Sequence, residues 1–260
     1  MVKYNKININ NMKTLSIFIW NIANPSLERA AKQAELLRKR SEDIFVLTEI
    51  KSSRGCLFLK KYFQAYGYYV VFPDFQDNQE YGSMIVSKIP LSSRTLKYTN
   101  FISPRVVYSQ ISLPHNIDIE MIGIYVPSRN ASEEKIKRKK SFLHALSNTF
   151  QKLELNKPRI ICGDFNVLEP NHKPFYPFFK DWEYDFYNQL SNYQLTDAWR
   201  FLHPLEQEYS WIGKTGDGYR YDHCFISNTL LPVVKESFYF HELRQQRLSD
   251  HSALITTLNI

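Results

Sequence analysis

The stretch IICGDFNVLE, Ile160 to Glu169, decides the reading and is the place to begin. Ile160, Ile161 and Cys162 form a short apolar run that reads as the end of a buried strand, Arg159–Cys162. Gly163, Asp164, Phe165 and Asn166 follow at once, so a carboxylate and an amide leave the end of a core strand two positions apart. In extended backbone, residues i and i+2 point to one side, which aims Asp164 and Asn166 at a common point. Gly, Asp and Asn are also turn formers. A turn and a functional site are both open at this stage.

Strand-like runs lie on either side. They cover Leu15–Trp20, Ile44–Thr48, Tyr68–Phe72, Ser83–Ser87, Val106–Leu113, Ile117–Tyr125, Cys224–Ser227 and Ser252–Leu258. Several are apolar on both alternating faces, as in a sheet covered on each side. Two helices are predicted. One runs from Leu27 to Arg40, with Leu27, Ala30, Ala31, Ala34 and Leu37 on one face and Ser26 as its N-cap. The other runs from Glu133 to Leu153, with Ile136, Leu143, Leu146 and Phe150 inward. Its basic cluster, Lys135, Lys137, Arg138, Lys139 and Lys140, reads as a solvated face. Strands in succession between the helices break the alternation of a barrel or doubly wound sheet. The expectation is a four-layer α/β sandwich, two mixed sheets face to face with helices outside. A polar segment, residues 1–13, precedes a single catalytic domain over 14–260.

The 260 residues are 43% hydrophobic, enough for a large core, and carry a formal charge of +7. That balance favours a polyanionic partner such as nucleic acid or an anionic surface. No apolar run is long enough for a membrane span, and the start of the chain does not read as a secretory signal. A soluble, cytoplasmic, monomeric protein is expected. Cys56, Cys162 and Cys224 lack zinc-type spacing and are expected to be reduced core residues, with no zinc site.

Polar groups recur where strands stop. Asn21 follows the first strand, Glu49 the second, Tyr125 ends GIY, Asp222 opens CFIS, and Ser249, Asp250 and His251 precede the last strand. Glu49, Asp164 and Asp250, with the Asn21 amide, are hard oxygen donors of the kind Mg²⁺ takes; Mn²⁺ can substitute. His251 can act as a donor or acid if a carboxylate orients it, and Asp222 is the natural one. Asn166 can hold a water while Asp164 takes its proton. Tyr125 offers a phenol to a phosphate oxygen. Together these are components of metal-assisted phosphate ester hydrolysis.

The order WN, TE, YVP, GDFN, YSW, RYDH, SDH, over residues 15 to 258, resembles the endonuclease/exonuclease/phosphatase superfamily. That group includes exonuclease III-type abasic-site endonucleases, pancreatic-type deoxyribonucleases, sphingomyelinases and inositol-polyphosphate 5-phosphatases. The resemblance implies a site at one mouth of the packed sheets, with Asn21, Glu49 and Asp250 near the metal and Asp164 activating water beside Asn166. It also implies His251 on the scissile phosphate, paired with Asp222, and Tyr125 against the phosphate. Arg220 falls on a common arginine position, read here as substrate-binding with Trp211 and Tyr221. Two departures stand out. Ala23 replaces a position usually Asp or Asn, and the bulk of Trp211 and Tyr221 leaves less room for a flipped-out abasic sugar. The expected function is an Mg²⁺-dependent DNA nuclease, with Trp211, Tyr219 and Tyr221 available to stack on bases. The alternatives are a phosphodiesterase of lipid or small esters and a catalytically dead scaffold. The aromatic stretch Phe175, Tyr176, Phe178, Phe179 and Trp182 is expected to pack over a sheet edge, and His223 to point either inward or away.

Overall fold

The computed structural model describes residues 12–77, 80–95, 104–113 and 117–260. Most of the polar segment expected at 1–13 lies outside the described residues. In chain order come β1 (Thr14–Asn21), α1 (Leu27–Lys39), β2 (Ile44–Ile50), α2 (Arg54–Ala65), β3 (Tyr69–Val71) and β4 (Gly82–Ser87). Then follow β5 (Leu91–Arg94), β6 (Val106–Leu113), β7 (Ile117–Tyr125), α3 (Glu133–Phe150), β8 (Arg159–Asp164), α4 (Asp181–Gln189) and β9 (Leu195–Asp197). The last are α5 (Ala198–Leu202), β10 (Trp211–Ile212), β11 (Gly218–Tyr219), β12 (Asp222–Ser227), β13 (Val234–Phe240), α6 (Glu242–Gln245) and β14 (Ala253–Asn259).

Two six-stranded sheets result, ordered β13-β14-β1-β2-β4-β3 and β5-β6-β7-β8-β12-β9. Each is mixed. β1 runs parallel to β2 but antiparallel to β14, and β8 runs parallel to β7 but antiparallel to β12. The run LSIFIW shows why both sheet faces are covered. Ile17 and Ile19 point into the core between the sheets, where they meet Met121, Ile160 and Cys224. Phe18 and Trp20 point outward beneath α1 and α2, against Ala34 and Phe63. On the far side, Ile122, Ile161 and Phe225 meet Phe142 and Leu146 of α3 and Phe186 of α4. Four layers, helix–sheet–sheet–helix, follow from that alternation. Each fully buried aliphatic or Phe side chain contributes roughly 1.5–3 kcal/mol.

The helix α1 starts as expected, with the Ser26 side chain accepting from the Arg29 backbone N–H. Leu27 is nonetheless 45% exposed, since it sits on the first turn beyond the sheet's reach. The expected unbroken run of strands is corrected by α2, which separates β2 from β3. Cys56, Leu59 and Phe63 bury its inner face, and Ser53 caps it by accepting from the Cys56 N–H. Phe58, Tyr62 and Tyr66 pack at the margin of the same cluster, so apolar residues surround much of the helix and blur its period.

Parallel pairing within each sheet brings like ends together. The C-terminal ends of β1 and β2 carry Asn21 and Glu49; those of β7 and β8 carry Tyr125 and Asp164. The antiparallel neighbours β12 and β14 start at the same mouth, with Asp222 and with Asp250 and His251 just before.

Candidate active site

GDFN is both a turn and a site. Gly163 has φ +140°, and a Cβ there would lie 2.0 Å from the Ile124 carbonyl oxygen across the β7–β8 pair, so only glycine fits. Asp164 ends β8 with its side chain buried, and its Oδ1 accepts the Asn166 backbone N–H at 2.8 Å. Asn166 adopts φ +49°, a left-handed conformation that Asn tolerates. Its Nδ2 donates to Asp164 Oδ2 at 3.1 Å and to the Val126 carbonyl at 3.0 Å. An Asx-type turn, rather than strand alternation, brings Asp164 and Asn166 together.

Across the sheet, Asp222 stands opposite Asp164 in register. Its Oδ2 lies 2.7 Å from His251 Nδ1, while its Oδ1 is buried with no partner among the described residues. Asp164, Asp222 and His251 offer ligand-type atoms within 4.8 Å of one another. Burial, with the facing Asp222 charge second, pushes the Asp164 carboxyl up to about 7. Burial alone would lower His251, but the charge and hydrogen bond of Asp222 override it and raise the imidazole to about 10. Asp222 thus favours the protonated imidazole of His251 and commits its Nδ1. Ser249 holds the loop. Its hydroxyl donates to the Asn21 carbonyl and accepts the His251 N–H, and Trp20 Nε1 donates to the His251 carbonyl.

Glu49 reaches the cleft through a bulge. The β2–β4 register shifts between Thr48 and Ile50, and Glu49 takes φ +58° as the extra residue. Its Oε2 accepts from Tyr125 Oη at 3.1 Å and from Asn21 Nδ2 at 2.9 Å. Burial, then the Glu49 and Asp164 charges, hold the Tyr125 phenol well above its ordinary value, so it stays a donor. Asn21 Nδ2 also donates to Asp164 Oδ2 at 2.9 Å, and its Oδ1 accepts the Ala23 N–H. Asn21 thus lies at the gathering point with its amide bridging two carboxylates, and its oxygen accepts one backbone N–H.

Glu49, Tyr125, Asp164, Asn166, Asp250 and His251 line one cleft of about 330 Å³, with Trp211 and Tyr221 on its wall. Asp250 sits at the rim, exposed, and its Oδ2 accepts from Trp211 Nε1 at 2.9 Å. The Tyr221 ring lies 6.0 Å from that of Trp211 and 5.3 Å from Tyr219. Arg220 does not reach the cleft, contrary to its substrate-binding expectation. It is fully buried, paired with Glu169 and Asp197 at 2.8 and 2.9 Å. His223 points inward too, with Nδ1 2.9 Å from Asp197 Oδ2.

The cleft also holds residues that the motifs did not mark: Ser128, Arg129, Lys139, Phe178 and Phe179. Lys139 departs from the solvated-face reading of its cluster, whose other four members, Lys135, Lys137, Arg138 and Lys140, are exposed. It is 1% exposed, donating to the Asn166 carbonyl and to Glu183 Oε1 at 2.6 Å. Its spacing from Phe142, Leu143 and Leu146 was the available signal. The aromatic stretch divides, with Phe179 buried and Phe175 and Phe178 exposed.

The chain belongs to the Endonuclease/Exonuclease/phosphatase family, whose model matches residues 18–251. It is 28% identical over 155 residues to Recombination repair protein 1 of Drosophila melanogaster, covering 54% of this chain and 22% of that protein. It is 24% identical over 157 residues to the Exodeoxyribonuclease of Bacillus subtilis (strain 168), covering 55% of this chain and 61% of that protein. The match thus spans less than two thirds of each relative. The structure of a 3′ phosphatase NExo from Neisseria, bound to product DNA hairpin, superposes with a TM-score of 0.79 at 22% identity, covering 95% of this chain and all of that one. That likeness shares the fold. Among the described residues no helix is long and apolar enough to cross a membrane.

Proposed function

We propose that this chain is a divalent-metal-dependent phosphodiester hydrolase acting on DNA. The observation that carries the reading is the Asp222–His251 pair facing Asp164 at the mouth where Glu49 and Asp250 also gather. The names of the relatives, a repair protein and an exodeoxyribonuclease, support DNA over other esters.

The donors facing the cleft fit Mg²⁺, or Mn²⁺ in its place. Glu49 and Asp250 would hold the ion through oxygen, and the thiols of Cys162 and Cys224 are buried between the sheets. When bound there, such an ion neutralises phosphate charge and makes a bound water more acidic. The chain's own residues do the rest. Asp164, held by Asn21 and Asn166, takes the proton of the attacking water. His251, charged and oriented through Nδ1, donates its remaining N–H to a phosphate oxygen as charge builds there. Tyr125 turns its one O–H from Glu49 to a phosphate oxygen at the same end once Glu49 is engaged elsewhere. The Trp211 and Tyr221 faces stack on a base beside the bond to be cut.

The test is turnover with Mg²⁺ or with EDTA on a panel: abasic duplex, plasmid, 3′-phosphate DNA, RNA and sphingomyelin. Cleavage of DNA that EDTA stops and Mg²⁺ restores is expected, with Asp164→Asn and His251→Ala each slower by about 100-fold or more. Full activity in both variants would sink the assignment, and turnover of sphingomyelin alone would replace DNA as substrate.

A further inference from the structure

Across Asp250 from the cleft lies a second groove of about 660 Å³, lined by Ala23, Arg29, Ile212, Arg244, Arg247 and Asp250 among others. Asp250 borders both spaces, so the two adjoin at that residue. The walls are fastened to each other. Gln33 of α1, fully buried, donates to the Ile22 carbonyl at 3.2 Å and to the Leu248 carbonyl at 2.8 Å, joining the loop after β1 to the loop after α6. Ser249 ties that second loop to Asn21. Ala23, Asn24 and Arg247 all have left-handed φ, at +51°, +37° and +57°, a strained backbone that this fastening maintains.

The groove carries three arginines, of which Arg244 feels the Glu208 carboxylate from a distance. Among the described residues, none of Arg29, Arg244 and Arg247 makes an ion pair. Arg29 donates to the Ala23 carbonyl, and its Nε–H is buried without a partner. The lone carboxylate, Asp250, is engaged by Trp211 on the cleft side. Three guanidiniums with donors to spare, in a groove that adjoins the mouth at Asp250, suit successive phosphates of one strand. Ala23 contributes here as well. With a methyl group at this position no carboxylate stands beside Arg29.

We propose that this groove is a subsite for the sugar–phosphate backbone of the substrate strand, seating the phosphates that lie beyond Asp250 from the bond being cut. The proposal rests on the DNA-hydrolase reading. It places substrate on the α1–α6 side of the mouth, on the opposite flank of Asp250 from the aromatic wall.

Equilibrium binding of a fluorescent DNA duplex in EDTA, at a series of salt concentrations, tests it. Relative to the unaltered protein, Arg244→Ala/Arg247→Ala is expected to bind about tenfold more weakly at low salt, with the slope of log K against log salt shallower by about 1.8. Arg244→Lys/Arg247→Lys should keep most of that slope, because phosphate attraction needs charge before shape. Lys135→Ala/Lys137→Ala, the same loss of charge on α3, should leave the slope within about 0.5 of the original. A slope unchanged in the arginine pair, or equally reduced in the lysine pair, overturns the subsite. If the unaltered protein still cleaves DNA in that case, the hydrolase reading stands and the groove alone fails. No DNA binding or cleavage by the unaltered protein removes both.

Discussion

Trp211 joins two jobs that its sequence position suggested only in part. Its ring belongs to the aromatic wall, yet its N–H is spent on Asp250 Oδ2. Trp211→Phe keeps a smaller aromatic ring and deletes that bond, freeing an exposed carboxylate to wander. The expected result is a requirement for about 10–100-fold more Mg²⁺ for half-maximal activity. Titrating turnover against Mg²⁺ checks this, and an unshifted curve would return Trp211 to stacking alone. Much of the site was legible at this scale, because strand ends that carry Asp, Glu, Asn or His stand out against apolar runs. What stayed hidden depends on distant partners. Arg220 reads the same whether it meets solvent or Glu169 and Asp197, and only the fold reveals the second. Glu49 was visible as an acid, but the bulge that turns it into the cleft depends on its pairing with β4.

Among the elements, α3 and α4 are joined through one carboxylate. Glu183 is fully buried, accepting from Lys139 of α3 and from Arg129 in the preceding loop. Arg129 in turn donates to the Phe178 carbonyl at 2.7 Å and lies 4.2 Å from the Phe178 ring centre, so the same junction shapes the cleft wall. Burial tends to raise the Glu183 carboxyl, and the two cations hold it below its ordinary value instead. Glu183→Gln leaves both cations underpaired in a dry place. A loss of about 3–5 kcal/mol is expected in a denaturant melt, since a broken buried pair strands its partner. A loss under about 1 kcal/mol would show that water reaches the junction. The sequence did not announce α4, because DWEYDFYNQ buries only Glu183 and Phe186 and so lacks a readable apolar face. The longer α1 and α3 present such faces and were legible, apart from the lysine that α3 turns inward.

For the molecule as a whole, acid is the expected weakness. Glu169, Glu183 and Asp197 are all pushed up by burial but held below their ordinary values by arginine, lysine or histidine partners. A carboxyl depressed in the folded state adds stability that is complete above its unfolded pKa, near 4, and is lost as pH falls through the folded value. Thermal melts across pH should therefore stay level from about pH 8 to 5 as far as these groups are concerned, then fall steeply below about 4. A molecule equally stable at pH 3 and pH 7 would show that those pairs add nothing. The layered architecture was legible because its strands are apolar on both faces; the edge strands β5, β9 and β13, short or polar outward, were not. Sheet order carries one more consequence. The first sheet takes β1 to β4 from early in the chain and β13 and β14 from late in it, with β14 wedged between β13 and β1. On the ribosome, then, a growing polypeptide has Glu49 and Asp164 long before Asp250 and His251 exist. Any product terminated upstream of Ser249 would lack Asp250 and His251 and would leave β1 with an unpaired, adhesive border. The last of the gathered side chains arrives with the strand that closes the first sheet.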